Sequence, residues 1–304
     1  MRQSPASPQL RVASRLPRGV IAAVLLLVLS ISASACGSST PTTTTSTTAP
    51  SLPSPAEQAA TLKGKNEYRR LVIHAAEGFA DATRALQTAL NHHDHETAVK
   101  QWAKAQASFD ALRPALLGGP AASAAYDGLV ADFAPGEQPV GLHEVERGLF
   151  TGHDELALRA APALAQAGPA VVIGLYRTIV QPSGVATKQV EQLGFFMDHV
   201  IAQHQEAFSH LDQIDISAIV GSVRDGFAAI ATLGNLVDPT LTATTETDLK
   251  SLEALAHAIS PGTKNDEISP QQWRGLSEAA SRLQVDFGQL GGELSGFTSG
   301  RSYA

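Results

Sequence analysis

Apolar side chains recur every three or four residues along most of this 304-residue chain. Such spacing places the apolar groups on one narrow face of an α-helix, as in helical bundles. Further stripes cover 68–90, 99–116, 190–211, 216–237 and 249–259, and no alternating run typical of a β-strand is evident. The sequence therefore predicts an all-α protein. The most regular stripe consists of Trp273, Leu276, Ala280, Leu283, Phe287, Leu290 and Leu294.

Proline and glycine mark the expected ends of these helices. Ser269-Pro270 has the pattern of an N-cap followed by proline in the first turn, and Asp238-Pro239 separates two stripes. Gly118-Gly119-Pro120, Gly168-Pro169 and Pro182-Ser183-Gly184 are further predicted breaks. The pattern indicates roughly eight helices with short connections, and hence antiparallel neighbours. This is more chain than one four-helix bundle uses, so two bundles or one elongated array is expected.

The first 36 residues have the organisation of a lipoprotein export signal. A segment with four arginines precedes an apolar run from Val20 to Ile31, and Ala33-Ser34-Ala35 leads directly to the single cysteine, Cys36. The apolar run is shorter than the ~20 residues of a transmembrane helix. We expect cleavage before Cys36 and a lipid on its sulfur. The lipid would anchor the protein at the extracytoplasmic face of the cell membrane.

Charge and composition narrow the chemistry further. Removal of the leader takes away four arginines and no acid, which changes the formal net charge from −7 to −11. An acidic chain of this kind has no electrostatic basis for binding nucleic acid. With Cys36 lipidated, no thiol remains for a disulfide, a nucleophile or a cysteine-ligated metal, so a metal would be held by His, Asp, Glu or water.

The domain organisation follows from the same features. The uncharged Thr/Ser/Pro-rich stretch after Cys36 cannot bury enough apolar surface to fold, so we expect an extended tether. The predicted arrangement is a signal peptide at 1–35, a lipidated cysteine and tether at 36–56, and a helical domain at 57–304.

The least regular stretch, 126–154, contains the sequence Gly-Leu-His-Glu-Val-Glu-Arg at 141–147. On a helical turn, His143 and Glu146 face the same way, so an imidazole and a carboxylate can share one ion. The spacing alone is weak, because about half a His-x-x-Glu pair is expected by chance, and the chain has three, at 74/77, 93/96 and 143/146. Zinc-peptidase motifs need a second histidine at 147, where this chain has Arg147, so we expect no metallopeptidase.

Two other histidine-containing segments are less suited to a metal. Residues 91–96, Asn-His-His-Asp-His-Glu, lie between two stripes, which favours a solvated turn with Asp94 capping the next helix over a metal site. His204 lies on the apolar stripe between Val200 and Phe208, which favours a core histidine bonded to a neighbouring helix over a ligand.

Three stretches resemble the imelysin-like family, and more narrowly the EfeO-type components of bacterial iron uptake. They are the first helix from Asn66 to Leu90, the segment Ser-Phe-Asp-Ala-Leu-Arg-Pro at 108–114, and the Gly-x-His-x-x-Glu run from Gly141 to Phe150. The resemblance covers roughly 66–297. It implies two fused antiparallel four-helix bundles related by pseudo-symmetry. It also implies an envelope protein that captures iron, with Mn or Zn as alternatives, and delivers it to a membrane permease.

The resemblance implies His143 and Glu146 as metal ligands and Asp110 as a third. Where the family's second helix has two glutamates, this chain has Asp110 and Arg113, and the arginine can neutralise Asp110 or Glu146. The expected protein is a lipid-anchored, monomeric iron-uptake component with other envelope uptake proteins as partners. The alternative is an envelope scaffold that has kept the fold and lost the ion. A hydrolase ranks last, because no nucleophile and base stand at a readable spacing.

Overall fold

Residues 53–116, 141–176 and 180–299 are described in a computed structural model, and they are almost entirely helical. No β-strand occurs among them, so the all-α prediction is confirmed. The predicted signal peptide, Cys36, the tether up to residue 52 and the predicted break at 118–120 lie outside the described residues.

Eight α-helices are present in these ranges. A π-helical turn, Phe196–Ile201, continues the fifth helix, and a short 3-10 turn, Asn265–Glu267, precedes the last. The helices are α1 (Pro55–Asn91), α2 (His95–Leu116), α3 (Leu142–Thr151), α4 (Asp154–Tyr176), α5 (Pro182–Phe195), α6 (Gln213–Val237), α7 (Pro239–His257) and α8 (Pro270–Ser299).

Side-chain caps set several of the predicted boundaries. Asp94 Oδ1 accepts a hydrogen bond from the Thr97 amide at 3.1 Å at the start of α2, and Asp238 Oδ1 accepts from the Leu241 amide at 2.9 Å at the start of α7. Each cap satisfies an amide that has no partner within its own helix. The predicted helix starts at 94, 238 and 269 are therefore confirmed. Helix α1 begins at Pro55, slightly before the predicted domain boundary at 57.

The helices pack through a continuous apolar core. Helix α1 lies against α2, α4 and α6, whereas α8 lies against α5 and α7, and α6 contacts helices of both sets. Phe79 of α1 meets Phe109 of α2 with ring centroids 5.6 Å apart, and Phe227 of α6 meets Phe287 of α8 at 6.2 Å. Truncating such a buried ring to alanine typically costs about 3–5 kcal/mol, which indicates how strongly these contacts hold the helices together.

Two sequence predictions about helix ends are wrong. Helix α4 runs through Gly168-Pro169 without a break. Gly168 lies so close to α1 that an added Cβ would be 2.7 Å from Ala80 Cα, and this packing holds a segment that proline alone would interrupt. The predicted helix over 190–211 ends at Ile201. The chain then forms a loop in which His204 and His210 take positive φ angles of 51° and 60°.

Helices α4 and α6 are long and apolar enough to pass as membrane spans by composition. Each also buries part of its apolar surface within the fold, as a bundle helix does.

Candidate metal centre

Helix α3 is held rigidly between α2 and α4. Leu142, Val145 and Leu149 are buried on its inner face. The indole Nε1 of Trp102 on α2 donates to the Leu142 carbonyl at 3.3 Å and so fixes the first turn. A Cβ added to Gly148 would lie 2.6 Å from the Ala157 amide nitrogen, which shows how closely α3 and α4 approach.

His143 and Glu146 share the buried face of α3, as their spacing predicts. His143 Nδ1 and Glu146 Oε2 are 3.2 Å apart, and both side chains are fully buried. Residues 126–154 were expected to be the least regular stretch, and for the described part of it this is wrong. Residues 142–151 form a regular helix, with left-handed glycines only at its flanks, Gly141 and Gly152. The pair therefore stands on a rigid element.

A third side chain, Glu206, joins this pair from the loop after the π-helical turn. One ligand atom from each of His143, Glu146 and Glu206 lies within 4.8 Å of the others, and all three residues are buried. We call these residues the three-residue group. An imidazole and two carboxylates at this separation have the composition of a site for a divalent or trivalent cation.

The loop that carries Glu206 is tied to α3 by Glu146 itself. The amides of Phe208 and Ser209 both donate to Glu146 Oε1, at 3.0 and 2.7 Å. Glu146 thus has one oxygen directed at the loop backbone and the other at His143. Hydrogen bonds from two amides stabilise the ionised carboxylate, so Glu146 is kept in an orientation and charge state suited to a cation.

Asp212 fixes the other end of this loop. Its Oδ1 accepts from the Glu206 amide at 3.1 Å, and its Oδ2 lies 2.9 Å from His204 Nδ1. The Asp212 amide in turn donates to Asn265 Oδ1 at 3.1 Å. The backbone of Glu206 is therefore held by a carboxylate that is itself positioned by two further groups, as in the outer shell of many metal sites.

The prediction that His204 is a core histidine is wrong. Its side chain is 44% exposed and lies over Trp273 with ring centroids 5.0 Å apart. The error follows from the end of the helix at Ile201, because His204 no longer continues the apolar stripe of Val200. Instead, His204 contributes to the loop through its contact with Asp212.

Asp110, the third predicted ligand, lies on α2 and forms a buried ion pair with Arg113. Arg113 Nη2 donates to Asp110 Oδ1 at 2.8 Å, and the guanidinium stacks over Phe195 at 3.7 Å. Gln106 Nε2 also donates to Asp110 Oδ2, at 3.4 Å. Asp110 does not belong to the three-residue group. A role for it as a ligand remains a prediction.

Two further buried acids extend the negative character of this region. Burial, followed by the charge of Asp110, raises the pKa of Asp215 well above its usual value. Burial also raises the pKa of Asp212, although hydrogen bonds from the Glu206 amide and His204 oppose the shift. The neighbourhood therefore has more carboxyl groups than it can keep ionised without added positive charge.

The other predicted histidine segments lie elsewhere. Residues 91–96 form the exposed turn between α1 and α2, where the hydrogen bonds of Asp94 to Thr97 lower its pKa. The His74/Glu77 pair is exposed on α1. Of the three His-x-x-Glu pairs, the structure therefore buries only the one at 143/146.

Glu206 was missed by sequence reasoning because of the helix predicted over 190–211. On that helix it falls off the apolar stripe, as a solvated residue would. The available signal was compositional, since the segment from His199 to Asp212 contains three histidines and two acids. No spacing rule connects Glu206 to a helix 60 residues earlier in the sequence.

No family model matches the sequence, and no curated protein matches it. The likeness to the imelysin-like family therefore stays a prediction that rests on the three segments in which it was seen.

Proposed function

We propose that the protein binds a transition-metal ion with His143, Glu146 and Glu206 and carries it at the extracytoplasmic face of the cell membrane. The observation that carries this proposal is the burial of one imidazole and two carboxylates with their ligand atoms within 4.8 Å of one another. Close carboxylates in a buried place repel each other, and a bound cation removes that repulsion. A histidine beside them adds a nitrogen ligand for which Zn, Fe and Mn have affinity.

The cargo that we propose is iron, delivered to a membrane permease as part of an uptake system. Two carboxylate oxygens and one imidazole suit Fe(III), Fe(II), Mn(II) or Zn(II) better than Cu(I), which prefers sulfur. The choice of iron among these metals rests on the resemblance to EfeO-type uptake components. A lipid on Cys36, followed by the tether, would keep the helical part near such a permease.

The packing pattern also supports the finer form of the fold, two fused four-helix bundles. In this proposal α5, α6, α7 and α8 make one bundle, and α1, α2 and α4 make the other with α6 at the seam. The three-residue group belongs to α3 and to the loop that precedes α6. A metal would then lie near the junction of the two bundles.

A second candidate function is a metal-free scaffold that binds another envelope protein through its helix faces. The observation that favours it is the ion pair between Arg113 and Asp110, which already neutralises one carboxylate close to the site. In this alternative the fold has outlived its ion.

Calorimetric titration with Fe(III)-citrate, Mn(II) and Zn(II) separates the two functions. We expect micromolar or tighter binding by the wild-type protein and its loss in the double variant His143→Ala/Glu146→Ala. The matched control is His74→Ala/Glu77→Ala, which removes a pair of the same spacing from an exposed part of α1. Absence of binding by the wild-type protein would reject the metal-carrier function and favour the scaffold.

Acidification provides a second test of the same site. Protons compete with a metal for the His143 imidazole, so affinity should fall as the pH is lowered. Titrations repeated between about pH 5 and pH 8 measure this dependence. A constant affinity across that range would rule out His143 as a ligand.

A further inference from the structure

A cavity of about 350 Å³ lies between α1, α2, α5 and α6, and none of its lining residues belongs to the three-residue group. Its volume is in the range of small-molecule pockets. Leu71, Val72 and Pro114 give it apolar walls, and Ser108 and Ser217 line it as well. The cavity thus combines apolar surface with a few polar groups, as ligand pockets do.

Gln189 of α5 is the polar group that distinguishes this cavity from a packing defect. Its side chain is fully buried and lines the cavity, yet neither Nε2 nor Oε1 has a hydrogen-bond partner. The amide lies flat against α6, where Gly226 leaves room for it. A Cβ at Gly226 would overlap Nε2 and lie 2.6 Å from the amide carbon.

Tyr68 of α1 presents a second buried polar atom to the same cavity. The side chain is 5% exposed, and its hydroxyl has no hydrogen-bond partner. Burial, together with the nearby charge of Glu191, raises the pKa of Tyr68, so the phenol stays neutral at physiological pH. It therefore offers a hydroxyl donor and acceptor and no charge.

Leaving these groups without partners is costly. A buried polar group without a hydrogen bond costs about 1–3 kcal/mol, and native proteins rarely retain several in one place. The groups at the rim do not supply the missing partners, because the Arg224 guanidinium is already bound to Asp225 at 2.7 and 2.9 Å. A molecule inside the cavity would satisfy the amide and the hydroxyl together.

The chemistry of Gln189 indicates what this molecule is. Its Nε2 donates and its Oε1 accepts along one edge, so the matching ligand presents an N–H and a C=O side by side. Primary amides and lactams have such an edge, whereas an ordinary trans amide directs these groups to opposite sides. The ion pair at the rim and the neutral phenol leave the cavity without a net charge that would favour a charged ligand.

We propose that this cavity is a binding site for a small neutral primary amide or lactam, held edge to edge by Gln189 with the Tyr68 hydroxyl beside it. This goes beyond metal binding and does not depend on it. Gln189 would read the amide edge, and Gly226 would allow Gln189 its place.

The test uses the full chain with δ-valerolactam as the probe and cyclohexanone, a ring of the same size without the N–H, as the control compound. We expect the lactam to bind with a dissociation constant of about 1 mM, which is usual for a ligand of this size. Binding should shift the ¹⁵N side-chain amide resonances of Gln189 in NMR spectra. Cyclohexanone should bind at least ~10-fold more weakly, because it leaves the Gln189 acceptor unpaired.

Three variants assign the effect to the cavity. Gln189→Leu keeps the buried volume and should fold, since it removes an unpaired buried amide, but it should weaken lactam binding at least ~10-fold. Gly226→Ala should weaken binding by displacing the Gln189 side chain. Gln284→Leu removes a partly buried glutamine outside the cavity, whose Nε2 donates to the Val190 carbonyl, and should leave binding unchanged.

Several results would overturn the proposal. Equal binding by wild type and Gln189→Leu would show that the lactam binds elsewhere or only through apolar contact. Equal affinity for cyclohexanone would exclude recognition of the amide edge. Failure of the lactam to bind at ~100 mM, far above the affinity expected for its size, would mean that ordered water alone satisfies Gln189.

Discussion

Two regions of this protein bring acidic side chains together, and they compensate the negative charge in different ways. The three-residue group has two carboxylates and an imidazole, all fully buried. The carboxylate pair, Asp248 of α7 and Asp286 of α8, also has acids on adjacent helices. There Arg282 Nε lies 3.2 Å from Asp248 Oδ1, and burial followed by the charge of Asp248 raises the pKa of Asp286 to about 6.

The comparison shows what separates a cation site from an acidic contact. At the carboxylate pair, one arginine and a proton on Asp286 are sufficient compensation, and Asp248 keeps some exposure to solvent. At the three-residue group, the ligand atoms converge and Glu146 is oriented by two backbone amides. Among the described residues, only this region brings three ligand atoms of His and acids together. Preorganised geometry, more than acidity, supports the proposed metal site.

The largest expected effect is on metal affinity in Glu206→Gln. This change keeps the side-chain volume and removes one anionic ligand, so affinity should fall at least ~100-fold. Asp286→Asn is the matched control, because it neutralises an acid of the carboxylate pair and should leave affinity unchanged. Calorimetric titration measures both variants. Similar affinities for wild type and Glu206→Gln would remove the distinction between the two regions.

Next in size is the effect of Gly148→Ala, which disturbs the helix that holds His143 and Glu146. The new methyl group would lie 2.6 Å from the Ala157 amide nitrogen and 2.9 Å from its Cβ, so α3 and α4 must separate. We expect a loss of about 2–3 kcal/mol in the free energy of unfolding by chemical denaturation.

The control for this change is Gly292→Ala on α8, where an added Cβ has no neighbour within 4 Å. It should raise stability by about 0.5–1 kcal/mol, because alanine favours the helix. Equal effects of the two substitutions would contradict the close packing of α3 on α4.

A smaller effect on metal affinity is expected from His204→Asn. Asparagine tolerates the left-handed backbone but cannot reproduce the His204 contact with Asp212, which holds the Glu206 amide. We expect affinity to fall ~10-fold, as for other outer-shell changes. His210→Asn, at the second left-handed position of the same loop, should have little effect. If both variants behave alike, the loop and not the Asp212 contact determines affinity.

The smallest expected effect concerns Asp286→Asn and pH. Because the folded-state pKa of Asp286 is about 6 and its usual value is 3.8, folded protein binds more protons than unfolded protein between these values. This contribution to stability is therefore greatest below pH 3.8, falls as the pH rises to about 6, and stays low above it. Asp286→Asn removes the repulsion and should stabilise the protein by about 1 kcal/mol at pH 7, after allowance for solvent screening.

Denaturation of both proteins at several pH values between about 4 and 8 measures this difference. The gain from Asp286→Asn should disappear towards the acidic end. A gain of constant size at every pH would show that Asp286 does not titrate in this window.

Much of the fold could be predicted, because helix periodicity and caps are local properties of the sequence. The stripe on α8 and the caps at Asp94 and Asp238 are examples. The His143/Glu146 pair was predictable for the same reason, since both residues share one helical turn. Glu206 was not, because the helix ends at Ile201 through long-range contacts, among them the two amides bound by Glu146. Gly168-Pro169 was misread likewise, since packing against Ala80 outweighs a local break signal.

Diffraction at the iron absorption edge from crystals grown with Fe(II) without oxygen would test the central claim most directly. We predict a single strong anomalous peak within coordination distance of His143, Glu146 and Glu206, and its absence in crystals of Glu206→Gln. A peak only at another position, such as the exposed histidine turn at 91–96, or no peak in the wild-type crystals, would contradict the proposed metal centre.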